Sequence, residues 1–338
     1  MQTRRIGAFD VSAIGLGCMS LSHAYGPPPP REQAEAVLKG ALDAGYTFLD
    51  TAAVYGVGHN ETLVGEVLAD RRSEFVLASK CGLTNGDRRE LNGHPDVLKA
   101  TCEGSLKRLK TDVIDLYYLH RWDRRVPIED SVGALAELNA EGKIKAIGLS
   151  EVSAATLKKA HAVHPIAALQ TEYSPWTRNP EIAVLDACRA LGVAFVAFSP
   201  VGRGFLAGGV MDAAALREGD FRAGMPRFQG DAFTANLGLF ARFSAIAARA
   251  ECTPAQLCLT WLLAKDDIIV PIPGTTSPAH MLENAHGASV TLTPELMAEV
   301  DALMTRDAVA GNRYAAPMQA AVDTEMYPEE LADVAWGG

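Results

Sequence analysis

Long apolar runs are missing from this chain, and no window reaches the length of a membrane span. The opening segment carries Arg4, Arg5 and Asp10 without an extended apolar core. It therefore reads as neither signal peptide nor anchor, and a cytoplasmic location is expected. Positive charge is in deficit: 31 Lys+Arg face 41 Asp+Glu, a net −10, and no basic run offsets it locally. That argues against a nucleic-acid partner. Six cysteines are present, without a CxxC pair or a zinc spacing. Most sit among apolar residues and read as reduced core thiols. Cys81 directly follows Lys80, so a reactive thiol is its alternative reading. Metal-binding patterns such as HExxH are absent, which leaves His23, His59 and His94 as loop histidines rather than ligands.

What is present is a long alternation. The 338 residues are 48% apolar and 21% charged, as in a soluble globular protein. Residues 2–12 read as a hairpin turning at Gly7. Eight strands are then expected, at 13–18, 46–50, 75–80, 113–119, 143–149, 167–171, 193–198 and 268–272. Helices fall between them at 31–44, 60–70, 95–109, 128–140, 153–163 and 180–190. Further helices are expected near 236–250, at 254–265 and at 278–284. An unbroken βα alternation demands parallel strands. Eight such units over roughly 270 residues match an α/β fold of the (β/α)8 TIM-barrel type. An open doubly wound sheet would carry GxGxxG after its first strand. Here Gly15-Leu16-Gly17-Cys18-Met19-Ser20 lacks the third glycine. The expectation is one domain over 1–338, with its core at about 13–304. It carries an N-terminal hairpin, a long loop after strand seven (200–235) and a C-terminal extension from about 305.

Several strands end in chemistry-bearing residues. Strand 46–50 closes on Asp50, with Tyr55 on the loop beyond; strand 75–80 ends at Lys80 and strand 113–119 runs into His120. In parallel arrangements these carboxyl ends share one face, where ligands bind. Singly, each has a plain structural reading: Asp50 as a turn cap, Tyr55 as packing, His120 as a core histidine. Lys80 is harder to dismiss, because a charge directly after an apolar strand needs a partner. Together they suit protonation of an oxygen. A phenol of pKa about 10 is a poor acid. An ammonium held by Asp50 would lower that value, and a histidine could hydrogen-bond the substrate oxygen. Reduction of a carbonyl needs such a group, and with no redox-active side chain in place a nicotinamide cofactor is implied.

The chain resembles the aldo-keto reductase family. The motifs are Asp50-Thr51-Ala52-x-x-Tyr55-Gly56, Ser79-Lys80, Tyr117-Tyr118-Leu119-His120-Arg121 and Gly148-Leu149-Ser150. Gln170, Ser199-Pro200, Pro271-Ile272-Pro273-Gly274-Thr275-Thr276 and Glu283-Asn284 continue the match. The resemblance implies an NAD(P)(H)-dependent oxidoreductase that reduces an aldehyde or ketone to an alcohol, or the reverse. It implies Tyr55 as general acid, Lys80 and Asp50 as its tuning pair and His120 as donor to the substrate oxygen. Ser150 and Gln170 would hold the nicotinamide carboxamide. Ser199, Pro200, Gly202 and Gly204 would surround the pyrophosphate. Pro273, Gly274, Thr275, Thr276 and Ser277 would take the adenosine ribose phosphate, and Glu283 and Asn284 the adenine. Many members carry Lys or Arg after the eighth strand, where NADPH places its 2′-phosphate; here His280 stands where an Arg is common. NADP(H) is the expected cofactor, with NAD(H) as the alternative.

Tyr25, Trp122 and Trp176 are candidate walls of the substrate pocket. Arg203, Leu206, Phe221 and Phe228 are candidate parts of a lid. The same resemblance admits a redox-sensing nicotinamide-binding regulatory subunit, and the residues alone admit an isomerase or epimerase with Lys80 as base. The expected partner is a small carbonyl or alcohol, with neither nucleic acid nor membrane involved; the loops that would choose among substrates leave no readable code.

Overall fold

The computed structural model describes residues 1–84 and 90–330. An antiparallel hairpin comes first, Thr3–Ile6 against Phe9–Ser12, turning through Gly7 at φ +56°. The chain then alternates. The strands are β1 (Leu16–Gly17), β2 (Phe48–Asp50), β3 (Val76–Cys81), β4 (Ile114–Leu119), β5 (Ile144–Ser150), β6 (Ile166–Glu172), β7 (Ala194–Phe198) and β8 (Ile269–Pro271). They form one eight-stranded sheet in sequence order, and every pairing is parallel. The ends meet. Gly15 N–H donates to Pro271 O at 2.9 Å, Gly17 N–H donates to Pro273 O at 3.2 Å, and Gly17 bridges Gly274. This is the expected (β/α)8 barrel.

Helices wrap it: α1 (Arg31–Asp43), α2 (His59–Leu68), α3 (Pro95–Leu109), α4 (Ile128–Ala140), α5 (Ala154–Val163), α6 (Val184–Leu191), α7 (Gly230–Arg249), α8 (Pro254–Lys265), α9 (Pro278–His286) and α10 (Pro294–Leu303). Two differences from expectation stand out. The helix after the long loop begins at Gly230, not near 236, and α10 extends the pattern past α9. A further small hairpin, Leu83–Thr84 with Glu90–Leu91, follows β3.

Side-chain alternation along the strands decides what reaches the barrel's interior. Phe48, Ala78, Leu116, Tyr118, Ala168, Ala194, Val196 and Val270 fill it, with Ile6 and Val11 of the hairpin in the same cluster. Their neighbours Leu49, Leu77, Tyr117, Leu119 and Leu169 belong to the larger layer that includes the helices. Counting two residues onward from the interior set gives Asp50 after Phe48, Lys80 after Ala78, His120 after Tyr118 and Gln170 after Ala168. One parity thus aims four polar side chains at one mouth of the barrel. The crowding is real: a Cβ on Gly148 would lie 2.3 Å from the Tyr118 ring.

Candidate active site

Lys80 is 1% exposed and Asp50 2%, so the two charges face each other away from water. They form an ion pair, and Lys80 Nζ also donates to Thr51 O at 2.9 Å and to Tyr55 Oη at 3.1 Å. Gln170 Nε2 donates to the other Asp50 oxygen at 2.8 Å. The ammonium therefore has a carboxylate, a carbonyl and a phenol around it. With its oxygen accepting from Lys80, the phenol keeps its own proton for an outward partner. The His120 ring stands edge-on to Tyr55, with centroids 5.7 Å apart and planes at 83°. The β2–α2 loop that carries Tyr55 is fixed from behind. Asn60 accepts from Thr51 Oγ1 at 2.6 Å and donates to Cys18 O and Ser22 Oγ, both at 2.8 Å.

Burial acts on each of the three groups. It pushes the Asp50 carboxyl up, against Lys80 and Gln170. It would lower Lys80, but the Asp50 carboxylate and the phenol reverse this and hold the ammonium above its ordinary value. It raises the Tyr55 phenol, and the opposing pull of Lys80 does not overcome it. The expectation that Lys80 leaves Tyr55 more acidic than a free phenol is corrected here: desolvation dominates in this pocket. Cys81 is buried with its thiol pushed up by burial, which makes it a core residue.

Above Tyr55 opens a cleft of about 980 Å³. Asp50, Tyr55, His120, Ser150, Gln170, Ser199, Pro200 and Gly204 line it, and it continues to Gly274, Thr275, Thr276 and His280. Gly202, Pro273, Ser277, Glu283 and Asn284 do not line it. Ser277 caps α9 by accepting from His280 N–H at 3.3 Å, and the Glu283 carbonyl accepts from Gln256. Tyr25 forms part of the wall; the other two aromatic candidates do not. Trp176 is 3% exposed and stacks on Phe205, 4.5 Å between centroids, with Arg227 donating to its carbonyl. Trp122 turns its indole N–H to Val126 O at 2.9 Å. Trp176 is a buried packing residue on the loop after β6, and Trp122, on the loop after β4, is half-buried and packs against the helical layer.

The family model for the aldo/keto reductase family matches residues 13–305. The chain belongs to the aldo-keto reductase family. Its solved relatives include a glycerol dehydrogenase from Gluconobacter oxydans, 25% identical, with 96% of this chain and 98% of that one aligned at a TM-score of 0.82. An aldo-keto reductase from Bacillus halodurans, in its holo form, is 26% identical over 93% and 98% of the two chains, with a TM-score of 0.72. An aldo/keto reductase from Klebsiella pneumoniae, solved with NADP and acetate, is 28% identical over 92% and 98%, with a TM-score of 0.69.

In this aldo-keto reductase the cleft also has walls that were not among the site residues expected from sequence: Met19, His23, Arg121, Tyr314 and Met318. Arg121 donates to Ser150 Oγ at 3.1 Å and to the His120 carbonyl at 2.6 Å, a role signalled only by its place beside His120. Tyr314 comes from the C-terminal extension, described to residue 330, which showed no periodicity. The long loop crosses the cleft and pairs with the β1–α1 loop through a Tyr25–Asp220 bridge. Phe221 N–H donates to Ala24 O at 3.2 Å, and the Arg222 guanidinium lies 4.6 Å from the Tyr25 ring. Among the described residues no cluster of three His, Cys, Asp or Glu is placed to hold a metal ion, and no helix is long and apolar enough to cross a membrane.

Proposed function

We propose that this chain is an NADP(H)-dependent carbonyl reductase and alcohol dehydrogenase, with NAD(H) as a weaker alternative. The observation that carries the reading is the buried Lys80 ammonium, paired with Asp50, donating to Tyr55 Oη at 3.1 Å beneath an open cleft. Ground-state protonation of Tyr55 suits reduction: the phenol gives its proton to the carbonyl oxygen as negative charge develops there, and Lys80 stabilises the phenolate left behind. His120 donates to the same oxygen and fixes the carbonyl's direction. When bound, the nicotinamide supplies the hydride.

The cleft suits an extended dinucleotide. Ser150 and Gln170 stand at the Tyr55 end, where a carboxamide would find a hydroxyl and an amide. Ser199 and Arg203, at φ +48° and +57°, and Gly204, at φ +85°, present left-handed backbone beside the Arg203 and Arg222 side chains, which suits a pyrophosphate. Thr275, Thr276 and His280 mark the adenosine end. No Lys or Arg lies within 274–280, so a 2′-phosphate there relies on hydroxyls and the start of α9. The Klebsiella pneumoniae relative solved with NADP supports the cofactor class. The Gluconobacter oxydans glycerol dehydrogenase supports chemistry at a CH–OH carbon.

The test is a fluorescence titration with NADPH and with NADH, followed by turnover of an aldehyde panel. NADPH is expected to bind more tightly, and Tyr55→Phe to lose at least about a hundredfold in kcat with cofactor affinity kept. Failure to bind either nucleotide, or wild-type turnover in Tyr55→Phe, overturns the reading.

A further inference from the structure

We propose that Arg121 anchors the substrate, and that the preferred substrate is an aldehyde carrying a carboxylate on the same short chain. The inference rests on the reading of the cleft as a carbonyl-reduction site.

The chain carries a net −10, yet its cleft is basic. Among the described residues four arginines line it, Arg121, Arg203, Arg217 and Arg222, against one carboxylate, Asp50, which Lys80 already pairs. Glu172 matches Arg203, and Asp220 matches Arg222. Arg121 and Arg217 have no ion-pair partner among the described residues, so the cleft keeps two positive charges. A concave site of one sign draws in anions. Arg217 comes from the loop after β7, on the side read as holding the dinucleotide, and its charge suits the phosphates there. Arg121 stands on the loop after β4. In barrel order that loop lies between Leu83, after β3, and Ser150, at the end of β5, where the substrate wall meets the nicotinamide end.

One nitrogen aims the half-buried guanidinium. Nη1 donates to Ser150 Oγ at 3.1 Å and to the His120 carbonyl at 2.6 Å, both neutral acceptors. The Nε–Nη2 edge bonds to none of the described residues, and neither of its nitrogens is buried. That edge is the one with which this protein grips carboxylates elsewhere. Arg71 takes Glu74 through Nε and Nη2 at 2.9 and 2.7 Å, and Arg178 takes Glu181 the same way at 3.0 and 2.7 Å. Two parallel N–H donors match the two oxygens of a carboxylate. Glu151 feels the Arg121 charge but is bonded to Arg313, so it does not occupy this edge. The charge also reaches the reacting group: burial raises the Tyr55 phenol, and Arg121 is among the cations that draw it back. A substrate held here presents its carbonyl to Tyr55 and His120 while its carboxylate meets Arg121.

The test compares 4-oxobutanoate and 5-oxopentanoate with their methyl esters, and uses 4-nitrobenzaldehyde as a general substrate. Charge-assisted hydrogen bonds predict that wild-type kcat/KM favours at least one acid over its ester by about tenfold to a hundredfold. Arg121→Gln should lose at least about tenfold more on that acid than on its ester, chiefly through KM. Arg121→Lys, which keeps the charge without the fork, should fall between the two. Added KCl should reduce the wild-type preference and leave Arg121→Gln unmoved. NADPH titration shows that each variant is folded. A preference that survives in Arg121→Gln, or an equal loss on acid and ester, overturns the assignment; an equal loss accompanied by weaker NADPH binding would give Arg121 to the nucleotide instead. If the wild type reduces 4-nitrobenzaldehyde but does not favour either acid, the inference fails alone. If it binds NADPH and reduces none of the aldehydes, the reductase reading fails first and takes the inference with it.

Discussion

Lys80 is the residue whose surroundings explain most of the site. An ammonium at 1% exposure would be driven toward its neutral form by desolvation alone, yet Asp50 and the phenol keep it charged. Its influence on Tyr55 is a restraint: burial lifts the phenol, and Lys80 limits the lift. This fixes the sign of a pH experiment. In alcohol oxidation the phenolate accepts the proton, so rate rises with pH through the phenol's pKa. Lys80→Met removes the lowering influence and leaves burial and Asp50, both of which raise the phenol. The rising limb of kcat/KM for alcohol oxidation should move upward by about one to three pH units. A pH profile superimposable on wild type would exclude Lys80 from control of Tyr55.

Among the elements, the C-terminal extension is the one that local sequence pattern could not place. The βα alternation was legible because each strand and helix writes its own period, and parity along β2, β3, β4 and β6 then brings Asp50, Lys80, His120 and Gln170 to one end. The extension has no period because long-range ion pairs hold it. Arg313 donates twice to Glu151, at 3.1 and 2.5 Å, with both side chains buried. Asp323 N–H donates to the Glu151 carbonyl at 2.9 Å, and Arg203 joins Glu172 and Tyr314 nearby. The positions of Trp122 and Trp176 were illegible for a related reason: an aromatic on a loop can turn toward the cleft or toward the helices, and its tertiary neighbours decide. Arg313→Met should destabilise the protein by about 3–5 kcal/mol, because Glu151 would stay buried without its cation. Adding Glu151→Gln should recover much of that, a coupling that a urea-midpoint double-mutant cycle measures. If the double variant is no more stable than Arg313→Met, the pair is not what docks the extension. Burial raises the Glu151 carboxyl, but Arg313 and Arg121 outweigh it and hold it below the usual glutamate range. The pair's contribution is therefore full above that range and is lost only as pH falls through the depressed value.

At the scale of the whole molecule the weak place is the seam where the barrel closes. Strands β4 and β5 pair along five registered positions, but β1 meets β8 through two backbone hydrogen bonds and one bridge. The strands approach closely because glycines line the join. A Cβ on Gly17 would lie 2.8 Å from Ile272 O and 3.5 Å from Gly274 N, and one on Gly15 would lie 2.6 Å from the Phe48 ring. Backbone cannot move aside as a flexible side chain can, so Gly17→Ala should push β1 from β8 and cost about 1–3 kcal/mol. Gly133 supplies the comparison. It sits in α4 with nothing within 4 Å of an added Cβ, so Gly133→Ala should stabilise by about 0.5–1 kcal/mol. Urea midpoints should therefore move in opposite directions for the same chemical change. Equal shifts would mean that the seam tolerates a methyl group and that closure does not depend on these glycines. The seam also belongs to the cleft, since Gly17 and Gly274 both line it. A barrel opened there should weaken NADPH binding together with stability, whereas Lys80→Met should alter the pH profile and leave the nucleotide's affinity in place.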